Sequence, residues 1–150
     1  MQRVVLANDV LLPEVVRLLE EGERVKLRVK GDSMLPFIVG DRDSVVLCKT
    51  ELLRKGDIAL AHLADGRYVL HRILAVAGKR VTLMGDGNLY GTEECGVWEI
   101  AGIAVKIVRN GKYIACSSAV ERRKAALWRI LKPFRRYVLG IYRGIEKLKD

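Results

Sequence analysis

Between residues 24 and 114 the chain falls into short apolar runs separated by glycine-bearing turns. That pattern points to strands rather than helices. Val25, Leu27 and Val29 alternate with Lys26, Arg28 and Lys30, which predicts a half-buried strand entering a turn rich in Gly, Asp and Pro. Further strands are expected over residues 44–48, 58–63, 67–76, 81–84, 97–108 and 112–115. Gly78-Lys79 and Asn110-Gly111 supply hairpin turns. Many short strands joined this way describe a mainly β fold, an antiparallel coiled sheet or partial barrel. With 150 residues, half of them apolar, the chain has enough material for a proper core.

Helical periodicity is confined to the two ends. Over residues 9–21 Leu11, Leu12, Val15, Val16, Leu18 and Leu19 form one apolar stripe, with Asp9 as cap, Pro13 near the start and Gly22 as stop. Acidic and basic residues interrupt every apolar run in residues 1–30, well short of the ~20 apolar residues that span a bilayer, so neither an anchor nor a secretory leader is expected there. Residues 121–150 hold ten Lys/Arg and three Asp/Glu, a net +7 of the chain's +9. Leu127, Leu131, Phe134, Val138, Ile141, Ile145 and Leu148 recur at helical spacing, and Pro133 should break the helix near Lys132. We therefore divide the chain into residues 1–118, with the N-terminal helix, and a basic amphipathic segment, 119–150. That segment suits an anionic membrane surface over residues 121–148. Equally, its stripe can pack on the β domain. No nucleic-acid module accompanies the cations, so nucleic acid is the weakest partner.

Cys48, Cys95 and Cys116 are scattered, and no Cys/His cluster is present, so neither a structural zinc site nor another cofactor is expected. Free thiols fit a reducing cytoplasm, with peripheral attachment to a membrane as the variant.

Chemistry concentrates in three places. Gly31-Asp32-Ser33-Met34-Leu35-Pro36 offers a serine in a shaped turn, Val69-Leu70-His71-Arg72-Ile73 a histidine on a strand, and Gly85-Asp86-Gly87-Asn88 a carboxylate in a tight turn. A serine hydroxyl needs a base, and an imidazole accepts a proton near neutral pH without heavy tuning. A carboxylate beside the ring would fix its tautomer. Each group also has a plainer reading: a turn serine, a core histidine, a capping aspartate. His62, the other histidine, has no ligand pattern around it and reads as structural or surface.

The boxes at Gly31–Pro36, Gly40-Asp41, Lys55-Gly56-Asp57, Val69–Ile73 and Gly85–Asn88 resemble, in order, those of the type I signal peptidases, and are similar to those of the related self-cleaving repressor proteases. The resemblance covers roughly residues 25–108. With His71 where many members carry lysine, the chain resembles the histidine type of the endoplasmic reticulum and archaea. It implies a signal peptidase-like sheet and a serine endopeptidase acting on extended leader or signal-type peptides. Ser33 would be the nucleophile, His71 the base and Asp86 the acid near the histidine. Gly31, Met34 and Pro36 would border the substrate. Gly31 stands where some members carry a second oxyanion hydroxyl. A peptide- or partner-binding module without activity is therefore the alternative. A self-cleaving repressor fits less well, since about thirty residues before Ser33 leave little room for a DNA-binding region and a scissile segment.

Overall fold

The computed structural model of the chain describes residues 2–6, 12–88 and 91–149. Within them nine strands build one sheet: β1 (Gln2–Leu6), β2 (Arg24–Arg28), β3 (Ser44–Cys48), β4 (Ile58–His62), β5 (Tyr68–Ala77), β6 (Arg80–Met84), β7 (Glu93–Gly96), β8 (Ile100–Arg109) and β9 (Lys112–Ala115). The order across the sheet is β1-β2-β3-β8-β4-β5-β6-β7, with β9 also paired to β8. Only β1 and β2 run parallel; the other pairs are antiparallel. The sheet does not close, so the mainly β, coiled antiparallel fold expected from the alternation is the fold observed. β1 and β7 lie outside the predicted strands. Residues 97–99, predicted as strand, form a 3-10 turn instead, because Glu99 Oε1 accepts from the Gly96 amide at 3.0 Å and draws the chain round before β8.

α1 (Leu12–Glu20) buries Val15, Leu18 and Leu19 against Val25, Leu27, Leu47 and Ile107 of the sheet. It ends as Gly22 predicts: at φ +87° the glycine lets its own amide reach Leu19 O (3.0 Å) and the Glu23 amide reach Leu18 O (3.1 Å). The expected cap Asp9 and the stripe residue Leu11 lie outside the described residues. A second apolar cluster, including Ala59, Ile73, Val81 and Leu83, fills the β4–β5–β6 region.

After β9, Ser118 Oγ accepts from the Glu121 amide and caps α2 (Ala119–Ile130). The turn at Lys132–Phe134 contains Pro133, and α3 (Arg135–Lys149) follows, so the predicted break is present. The buried face differs from the predicted stripe. Trp128 and Leu139 are buried with Leu35 of the serine loop, and Phe37, Val39, Val138 and Tyr142 pack around them. Leu127, Phe134, Ile141 and Ile145 of the stripe face solvent, as do Ile130 and Tyr137. The segment has two apolar faces, and the one bearing Trp128 and Leu139 is spent on the domain. No helix among the described residues is long and apolar enough to cross a membrane.

The loop between β2 and β3 carries Ser33, and Asp43 closes it. Asp43 Oδ2 accepts from the Val39 amide (2.8 Å), the Asp43 amide donates to Val39 O (2.9 Å), and Arg42 and Arg109 flank the carboxylate. Burial pushes this carboxyl up, but the hydrogen bonds from Arg42 and the Val39 amide, with the charges of Arg42 and Arg109, outweigh it and hold the group below its usual range. Asp43→Asn should cost about 1–3 kcal/mol by urea unfolding at neutral pH. A carboxyl lowered by folding contributes its full stability above its unfolded range and loses it on acidification. The gap between wild type and variant should therefore narrow below about pH 4.

Candidate active site

Adjacent residues of a strand point to opposite faces of the sheet, and β5 uses that alternation to separate two buried polar side chains. His71 and Arg72 are both almost fully buried, at 5% and 6% exposure. His71 looks into the cleft beside Ser33, and Arg72 looks to the other side.

On the cleft side, His71 Nδ1 lies 3.0 Å from Glu93 Oε2, at the start of β7. With Nδ1–H donating to that carboxylate, Nε2 is left as the proton acceptor. Ser33 lines the same cleft, together with Met34, Tyr68, Leu70 and Asn88. The cleft holds about 830 Å³. Among the described residues the Ser33 hydroxyl takes no hydrogen-bond partner, and Ser33 and His71 line one space without a bond between them.

On the other side, Arg72 Nε and Nη2 grip Asp86 at 2.9 and 2.6 Å, and Arg72 Nη1 donates to Gly56 O at 2.9 Å. The Asp86 carboxylate, expected near the histidine, is therefore Arg72's partner, and Glu93 occupies the place beside the imidazole. Asp86 is only 1% exposed, and its backbone carbonyl accepts from Trp128 Nε1 at 2.8 Å. Next to it Arg135 is buried, its guanidinium 5.3 Å from the Trp128 ring. Burial drives this guanidinium below its ordinary range; the Asp86 charge works the other way and Arg72 adds to the depression.

The Gly85–Asn88 box has a second task. The Gly87 amide donates to Ser33 O at 2.7 Å. A Cβ on Gly85 would lie 2.4 Å from Ser33 O, and one on Gly87 2.4 Å from Asp32 O. Both glycines let two backbones touch, so the box fixes the serine turn by direct contact.

Met34 lines the cleft, whereas Gly31 and Pro36 stand outside its wall. Pro36 follows a cis peptide bond, and Gly31 takes the left-handed conformation at φ +79°. One wall is an open backbone edge. β6 pairs with β5 only over Arg72–Ala77. The Tyr68–His71 edge away from β4 thus has no strand partner among the described residues. Val29, opposite, bonds only toward Asp41 and Asp43. His62 is exposed and stacks on Tyr68, ring centroids 4.0 Å apart. Among the described residues no group of His, Cys, Asp and Glu is arranged to hold a metal. Burial pushes the Cys95 and Cys116 thiols up to about 11, which keeps both protonated at neutral pH.

An open coiled sheet, with a loop serine and a carboxylate-bound histidine on one cleft, defines a serine-peptidase type of scaffold. Residues 6–105, about two thirds of the chain, match the Peptidase S24-like family, and the chain belongs to it.

The two carboxylates should separate in experiment. With Ser33 as nucleophile, Glu93→Gln should slow its reaction with a fluorophosphonate roughly 10²–10⁴-fold with little change in unfolding free energy. Asp86→Asn leaves Arg72 buried and unpaired, and should cost about 3–5 kcal/mol of stability, read by urea unfolding.

Proposed function

We propose that the protein is a serine endopeptidase of the signal peptidase-like, histidine-base kind, cutting extended leader or signal-type peptides. The observation that carries this reading is the shared cleft: Ser33, His71 and Glu93 line it, with His71 Nδ1 on Glu93. Ser33 Oγ attacks the scissile carbonyl carbon while His71 Nε2 takes its proton. Glu93 stabilises the imidazolium, which returns the proton to the leaving amine. The Ser33 amide, which donates to no other group among the described residues, would stabilise the oxyanion. Water then releases the acyl group from Ser33 along the same proton path. The unpaired edge at Tyr68–His71 suits a substrate bound as an added strand.

A binding module without activity is the second reading. It is favoured by the unbonded Ser33 hydroxyl and by Gly31, which brings no second donor. Fluorophosphonate labelling separates the two. Wild type should label, and Ser33→Ala and His71→Ala should not. A wild type that never labels yet binds peptide through the cleft establishes the module instead.

The solvent-facing stripe of Leu127, Ile130, Phe134, Tyr137 and Ile141, set among arginines, supports peripheral contact with an anionic membrane. Each basic residue near such a surface adds about 1 kcal/mol. Ile130→Glu with Phe134→Glu should abolish co-sedimentation with anionic vesicles while leaving fluorophosphonate labelling in solution unchanged.

A further inference from the structure

A second cavity, of about 320 Å³, lies on the side of β4 away from the serine cleft, between the 50–57 turn, β8 and α2. Four cations line it: Arg54 and Lys55 from the turn, Arg122 and Arg129 from α2, with the hydroxyl residues Thr50 and Ser117 beside them. None of the four side chains makes an ion pair or hydrogen bond among the described residues. The carboxylate that also lines the space, Asp57, accepts from the Arg54 amide at 3.0 Å. Glu121, nearby on α2, is held by Lys124. Arg54, Lys55, Arg122 and Arg129 thus border one concave space with a single carboxylate among its lining residues. Such a space attracts an anion, and forked guanidinium donors with hydroxyls suit a phosphoryl group. The volume is at the small end for ligand sites, which limits the occupant to a phosphoryl group on a small body.

The floor of this cavity joins the catalytic strand. Arg129 lies against Gly56, its Nη1 3.3 Å from where a Cβ would stand. The Gly56 carbonyl accepts from Arg72, and the Gly56 amide donates to Ile73 O at 2.8 Å. Ile73 returns its amide to Asp57 O at 2.7 Å. We infer that this cavity is a binding site for a phosphoryl-bearing anion, seated on the turn that grips β5 beside His71. The inference does not rest on the hydrolase reading, since binding is measurable in a protein without Ser33.

The test follows backbone amide resonances of the full-length Ser33→Ala protein at ~0.15 M salt, where diffuse surface attraction is screened. Pyrophosphate, and in a parallel arm phosphatidic acid vesicles against zwitterionic ones, are titrated in. Saturable shifts centred on Gly56, Asp57 and Arg129 are expected. Response to pyrophosphate identifies a free anion; response to phosphatidic acid alone identifies a lipid headgroup. Arg129→Gln and the more exposed Arg122→Gln should each weaken binding roughly tenfold or more, while Arg136→Gln, a cation outside the cavity, should not. No saturable shift in either arm up to millimolar pyrophosphate overturns the inference. So does equal weakening by Arg136→Gln, which means the attraction is spread over the surface.

Discussion

The Arg72–Asp86 ion pair is the interaction on which the rest of this structure depends. Two charges are removed from water there, and the removal is tolerated because the lone pairs and N–H groups are nearly all used. Further hydrogen bonds of Arg72 and of the Asp86 backbone reach different parts of the chain. Gly56 brings in the 50–57 turn and Trp128 brings in α2. The glycines flanking Asp86 bring in the serine loop. The pair fixes the backbone of the residue preceding it, His71, and the loop carrying Ser33. The cleft is lined by a loop residue, a mid-strand residue and a residue at a strand start, and no single element holds all three.

The C-terminal helices belong to the same arrangement. Trp128 and Leu139 press on Leu35, and the surrounding ring includes Phe37 and Val39 from the serine loop. Arg143 adds a longer contact to Asp32, 3.4 Å and exposed. A solvent-exposed pair of this kind contributes little stability. Apolar burial around Trp128 carries the attachment, with the indole hydrogen bond giving it direction.

Much of the architecture was legible because period-two alternation and glycine turns survive in sequence. β3, β5 and β6 needed little more. β1 was hidden because a five-residue strand joining by parallel pairing has no hairpin to announce it. β7 was hidden because Glu93 and Glu94 look like loop residues. For the candidate site, the boxes bring out Ser33 and His71, which line one cleft. Glu93 carries no motif and comes near His71 only when β7 returns along β6. The Asp86 carboxylate binds Arg72, one position along from the histidine its box suggests. Sequence proximity cannot say on which side of β5 a carboxylate will dock, and the pleat makes that side decisive. The C-terminal stripe failed for a related reason: apolar spacing on α2 and α3 supports two faces, and only the fit of Trp128 over Asp86 selects one.

The open edge of β5 has a cost of its own. An unpaired run of main-chain groups that can accept a peptide can also accept the same run from another copy of the protein, the first step of strand-to-strand polymerisation. Lys30, Asp65 and Arg67 ring this edge. Lys30 and Arg67 are held in ion pairs, with Asp41 and Asp65, each at 2.8 Å. Charge held at the mouth of an open edge makes flat, extended stacking of identical molecules unfavourable.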